Sequence, residues 1–207
     1  MFMRFSRFLT VYLLCFVTAS LYSQMTPSAP IKNFRLPRFG DNGYTQWMLL
    51  GEQGIYDRDE QLSVQEMAMR IYSGDQRMAL ELSMDSPQGT LLLQENRGHS
   101  ESPITIVGAN FKISGIGWEW SGDTKEIIVK QDAVVKFTQG IAGAFGDIGE
   151  TNTDGDLSDT EIHSDHLILR TTVEEYYFEF TGSVHAVSDQ MDLKSESLIA
   201  LADAPVG

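Results

Sequence analysis

Cysteine is almost missing from this chain. Cys15 is the only one, and it lies inside an apolar run near the N-terminus. Leu13 and Leu14 precede it, where a lipid-attachment site needs small residues, so lipidation is not expected. Once that run is removed no disulfide can form, and export does not require one. Basic residues are also scarce. Lys and Arg total 15 against 29 Asp and Glu, for a formal charge of −14. Phosphate-rich polymers need a basic face, which excludes nucleic acid as a partner class. Simple electrostatic docking on anionic lipid is disfavoured for the same reason. Long apolar runs are lacking as well: Phe8 to Ala19, even stretched to Tyr22, falls short of the roughly 20 residues of a membrane-spanning helix.

What the N-terminus does have is the grammar of an export signal. Arg4 and Arg7 precede the apolar run, and small residues follow at Ala19, Ser20 and Ser23. Residues 1–23 therefore read as a cleavable signal peptide, which places the protein in the periplasm, with an uncleaved inner-membrane anchor as the alternative. Cleavage removes two cations and no acid, taking the formal charge from −14 to −16. Residues 24–43 read as a loose lead-in segment. Pro27, Pro30 and Pro37 disfavour helix and central strand alike. Its cluster of Lys32, Arg35 and Arg38 is read as solvated charge, the alternative being contact with an anionic head group.

From Tyr44 onward the pattern is that of strands. Trp47 to Leu50 is apolar. Leu62 and Val64, then Met67, Met69 and Ile71, alternate with polar residues, with a one-residue slip at Glu66 that predicts a β-bulge. Met78, Leu80, Leu82 and Met84 form an apolar stripe. Ile104 and Ile106, Phe111 and Ile113, Trp118 and Trp120, Ile127 to Val129 and Ala133 to Phe137 continue the alternation. Asp75, Pro87-Gln88-Gly89, Gly98, Gly115 and Gly122-Asp123 are read as the turns between runs. Residues 44–138 thus make a first β part. Residues 139–160, rich in Gly and Asp, read as an acidic loop or linker. Residues 161–203 make a second β part through Leu167, Leu169, Tyr176, Phe178, Phe180, Val184 and Ala186. Short strands at roughly ten-residue spacing predict an all-β fold: a sandwich, a barrel or an open β-roll. A weak echo between residues 104–137 and 162–187 adds the order strand, turn, strand twice over.

Candidate chemistry is sparse. His163 and His166 are three apart, and such positions on a strand face opposite sides, so a metal role is not expected. No Ser or Cys stands in a recognisable nucleophile elbow, so no enzyme activity and no cofactor are expected. Residues 150–161 place Asn152, Asp154, Asp156 and Glu161 where a calcium loop has ligands, but position 1 is Glu150 rather than Asp and no helices flank the loop. An acidic, solvated linker is the preferred reading there. The apolar stripe is core by default. Were Trp118 and Trp120 to point outward, they would suit a sugar-binding platform.

Three stretches resemble the periplasmic bridge proteins of lipopolysaccharide transport, the LptA/LptC and OstA-like group. They are Phe34-Arg-Leu-Pro-Arg-Phe39 before a Trp47-led strand; Ile106-Val-Gly-Ala-Asn-Phe111 leading to Gly117-Trp-Glu-Trp120; and His163-Ser-Asp-His-Leu167 followed by Tyr177-Phe-Glu-Phe-Thr-Gly-Ser-Val184 and Leu193-Lys-Ser-Glu-Ser-Leu198. The likeness runs over most of residues 34–201. It implies an open antiparallel β-roll of the jellyroll or taco kind, whose interior holds acyl chains. Modules of that kind stack edge to edge to serve export to the outer membrane. On that resemblance the partners would be lipopolysaccharide or another acylated lipid and other β-roll proteins. The lipid-groove candidates are Met78, Leu80, Leu82, Met84, Phe111, Ile113, Trp118, Trp120, Phe178 and Phe180. The alternative function is a surface or polysaccharide-binding β-domain without catalysis.

Overall fold

Alternating apolar and polar residues can bury one face of a strand only if that face meets another sheet surface. Here a single sheet supplies both surfaces. The computed structural model describes residues 29–56, 61–138, 160–172, 174–189 and 191–204. These form one antiparallel sheet of eleven strands: β1 (Ile31–Phe39), β2 (Thr45–Tyr56), β3 (Gln61–Tyr72), β4 (Leu80–Leu92), β5 (Arg97–Val107), β6 (Phe111–Ser121), β7 (Glu126–Phe137), β8 (Thr160–Ser164), β9 (His166–Thr171), β10 (Glu175–Ser188) and β11 (Met191–Asp203). Neighbours in space are neighbours in sequence, except that β8 and β9 lie end to end between β7 and β10. The two parts separated in the sequence by residues 139–160 are therefore joined edge to edge in one sheet. The expected signal segment lies outside the described residues, among which no helix is long and apolar enough to cross a membrane.

A line of irregularities crosses the sheet at mid-strand. Non-glycine residues with positive φ lie on it at Asn33, Glu66, Asp132 and Ser183, and glycines at Gly117 and Gly182. Pairing registers shift at the same level between Asp85 and Thr90, Ser100 and Pro103, Ser114 and Ile116, and Thr181 and Val184. In β3 the slip is visible in burial: Val64 and Met67 are both buried, while Gln65 and Glu66 between them are exposed. This is the bulge that the sequence pattern predicts at Glu66.

The sheet folds over along that line, so that one half of each strand packs on the other half of strands further along. Trp47 on β2 and Trp120 on β6 meet edge to face with ring centres 5.8 Å apart. In a flat sheet four strand spacings would hold them about 19 Å apart. Phe111 on β6 and Phe137 on β7 likewise reach Phe178 on β10, at 5.0 and 5.1 Å. The core lies between the two halves. Fully buried members include Leu49, Met84, Ile106, Ile113, Val135, Ile162, Leu167 and Phe180.

Two readings of local sequence are corrected by this geometry. Pro87-Gln88-Gly89, Gly98 and Gly115 are not turns; they lie inside β4, β5 and β6. Two of these stretches are where the strands cross the fold line, and bulged backbone favours the same residues as turns. The lead-in segment is not loose over its length either, because residues 31–39 form β1. Pro37 is accommodated because β1 is an edge strand, where a missing N–H costs no ladder bond on the open side. At the other end of the strand order, β11 is the second free edge among the described residues.

Candidate binding site at the mouth of the folded sheet

Opposite the fold line, the ends of the strands come together as a mouth. Polar contacts hold it at three places. Arg38 Nη1 on β1 donates to the Leu93 carbonyl at 3.1 Å. The Trp47 indole N–H donates to Asn96 Oδ1 at 2.9 Å, and Asn96 Nδ2 donates to Asp123 Oδ1 at 2.7 Å. Asn96 sits at φ 53°, a left-handed position that Asn tolerates better than most residues. Further along, the Tyr176 hydroxyl donates to the Glu81 carbonyl at 3.4 Å. Burial, and then the charge of Glu81, push the Tyr176 hydroxyl pKa up to about 12, so it remains a donor.

A cavity of about 230 Å³ lies at this mouth, with Trp47, Asn96 and Glu81 in its wall. Ile71, Leu82, Trp120 and Ile127 supply apolar wall, and Glu81 and Lys125 supply charge. Glu81 is the second residue of β4 and is partly buried, which raises its pKa; Lys125 and Arg77 partly offset the effect. Glu81 therefore does not behave as the outward partner of an apolar stripe, as simple alternation along β4 predicts.

The groove candidates divide into two groups. Leu82, Met84, Phe111, Ile113, Trp118, Trp120, Phe178 and Phe180 share the interior, none more than 4% exposed. Met78 and Leu80 do not join them; they are 48% and 53% exposed. The stripe fails there because Met78, at φ 48°, belongs to a turn closed by Ser73, Asp75 and Ala79, and the β3–β4 register shifts between Ile71 and Tyr72. Trp118 and Trp120 are buried, so they form no exposed sugar platform. Trp118 instead donates its indole N–H to Ser86 Oγ at 3.2 Å.

Of the calcium-loop candidates, Asn152, Asp154 and Asp156 lie outside the described residues. Glu161 lies on β8, against Lys136 Nζ at 2.6 Å and His163 Nε2 at 2.8 Å. The hydrogen bond from Lys136 is the chief cause of its lowered pKa. His163 and His166 are both exposed, and no group of three or more potential metal ligands exists among the described residues.

No protein-family model matches the chain, and no curated protein matches it. Sequence reasoning missed Glu81, Asn96, Lys125 and Tyr176. The one available signal was Glu81 itself, a lone charge between Leu80 and Leu82.

Proposed function

We propose that the chain is a non-catalytic, periplasmic lipid-binding and bridging module of lipopolysaccharide export, built as an open β-roll. The observation that carries this reading is a single sheet with two free edges, folded around an apolar interior whose mouth is held by a few polar contacts. An acyl chain would enter by parting the halves at the mouth. The interior side chains already pack on one another, so the gain comes from the acyl chain itself, about 0.8 kcal/mol for each CH2 taken from water, and needs no help from charge. That suits a protein with few cations.

The free edges support the bridging half of the proposal. Unpaired backbone donors and acceptors invite strand addition. β1 carries Lys32, Arg35 and Arg38 and no acid, while β11 carries Asp192, Glu196 and Asp203 against Lys194. A β1 edge of one module therefore complements a β11 edge of another in charge as well as in hydrogen bonding.

Photo-reactive residues at Met84 on β4 and Phe178 on β10, which face inward, and at Glu179, which follows Phe178 and is only partly buried, test lipid carriage in living cells. Lipopolysaccharide adducts at the first two and not at the third are expected. Equal labelling at all three, or none, overturns it. Cross-linkers at Arg35 and Ser197 test bridging; a protein that stays monomeric at both edges with candidate partners present loses that role.

A further inference from the structure

Two opposite charges border the mouth cavity, the partly buried Glu81 and the exposed Lys125, and they act on one another through space. Glu81 comes from the start of β4 and Lys125 from the turn between β6 and β7, so they approach from opposite halves of the folded sheet. Among the described residues, neither side chain makes a hydrogen bond or an ion pair. The Glu81 carboxylate is partly buried but still reached by water, so a ligand ammonium would take the place of solvent there. Beside the two charges stand Trp47, Leu82 and Trp120, an apolar wall within the same 230 Å³. Ligand pockets for drug-sized molecules run to about 300–1,000 Å³, so the occupant is smaller than those.

We propose that this cavity binds a small zwitterionic group carried on an apolar body, with its primary ammonium on Glu81, its anionic group near Lys125 and its carbon skeleton against Trp47, Leu82 and Trp120. A purely anionic ligand would meet Glu81 in a space partly removed from water, on a chain already at −14. A simple amine would meet Lys125, and a neutral hydrocarbon would leave Glu81 without a partner. Two sources share the required chemistry: the ethanolamine head group of a phospholipid, and a free apolar amino acid. In the first case the inference rests on the lipid reading above and refines it. The second is independent of that reading.

Titration calorimetry on the purified protein separates the possibilities, using a short-chain phosphatidylethanolamine below its micelle concentration, leucine, the matching phosphatidylglycerol, hexylamine and hexanoate. At least one zwitterion should bind about tenfold tighter than hexylamine, hexanoate and the phosphatidylglycerol, as expected when one charge-assisted contact is missing. Tight phosphatidylethanolamine with weak leucine identifies a lipid head group; the reverse identifies a free amino acid. Glu81→Gln should weaken the zwitterion about tenfold and strengthen hexanoate if it changes it at all, and Lys125→Met should weaken the zwitterion and strengthen hexylamine if it changes it at all. Equal binding of hexylamine and the zwitterions, tighter binding of the phosphatidylglycerol, or no binding at all overturns the proposal. The selectivity series uses the unsubstituted protein, so a variant that fails to fold does not shield the proposal. Inward photo-labelling at Met84 and Phe178 with no zwitterion binding would overturn this site alone and leave lipid carriage standing.

Discussion

The indole N–H of Trp47 on β2 reaches across the mouth to Asn96 in the turn between β4 and β5, donating to Oδ1 at 2.9 Å. Asn96 is only 5% exposed and passes the contact on to Asp123. Its replacement therefore leaves a buried indole donor unpaired. Asn96→Ala is expected to destabilise the fold by about 2 kcal/mol, through the lost bonds and the left-handed backbone. Urea unfolding with an unchanged slope is the measurement. A loss below about 0.5 kcal/mol, the range of ordinary surface changes, would mean that this contact does not hold the mouth.

The exposed and buried members of the apolar stripes should separate cleanly. Phe178 is fully buried against Phe111 and Phe137, so Phe178→Ala should cost about 3–5 kcal/mol. Leu80 is 53% exposed, and Leu80→Ala should stay within about 0.5 kcal/mol. Similar losses at both positions in thermal or denaturant unfolding would contradict the placement of Leu80.

Two glycines on β6 are required for different reasons. Gly117 has φ +70°, so Gly117→Val forces a β-branched residue into a left-handed conformation at a cost of about 2 kcal/mol. Gly115 has no such φ, but an added Cβ would collide with a Val129 methyl and come within 3.0 Å of the Gln131 carbonyl. Gly115→Ala should cost about 1–3 kcal/mol through overpacking. Val129→Ala should recover part of the loss when combined with Gly115→Ala and none when combined with Gly117→Val. Denaturant midpoints of the single and double variants decide it.

Asp75 is held by Arg77, whose side-chain hydrogen bond is the largest cause, and next by Ser73; together they bring its pKa down to about 2. The turn binds the carboxylate form. Its contribution is therefore complete above the ordinary carboxylate value of 3.8 and is lost as pH falls through about 2. Carboxyl titration followed by NMR should give a midpoint near 2 for Asp75. Arg77→Ala should raise it toward the ordinary value, and a midpoint that does not move would refute the pairing.

Much of the fold was legible because alternation is local. A strand with apolar residues two apart must bury one face wherever it ends up, which made the all-β class, most strands and the Glu66 bulge readable without coordinates. The same period could not reveal that strands bend. Pro87-Gln88-Gly89 looks like a turn because a fold line and a turn use the same residues, and only the pairing of β4 with β3 on both sides of it shows the difference.

The amino-acid order by itself determined the strands, the acidic surface and which faces are apolar. It did not determine which distant faces meet. That Trp47 packs on Trp120, that Met78 and Leu80 fall outside the core, and that Glu81 and Lys125 border one cavity all depend on where a single sheet folds over and by how many strands its halves are offset. Contacts of that kind join residues tens of positions apart, and hydrophobic burial, being non-directional, selects a buried face without naming its partner. The partner is chosen only when the line of bulges turns every strand at the same level.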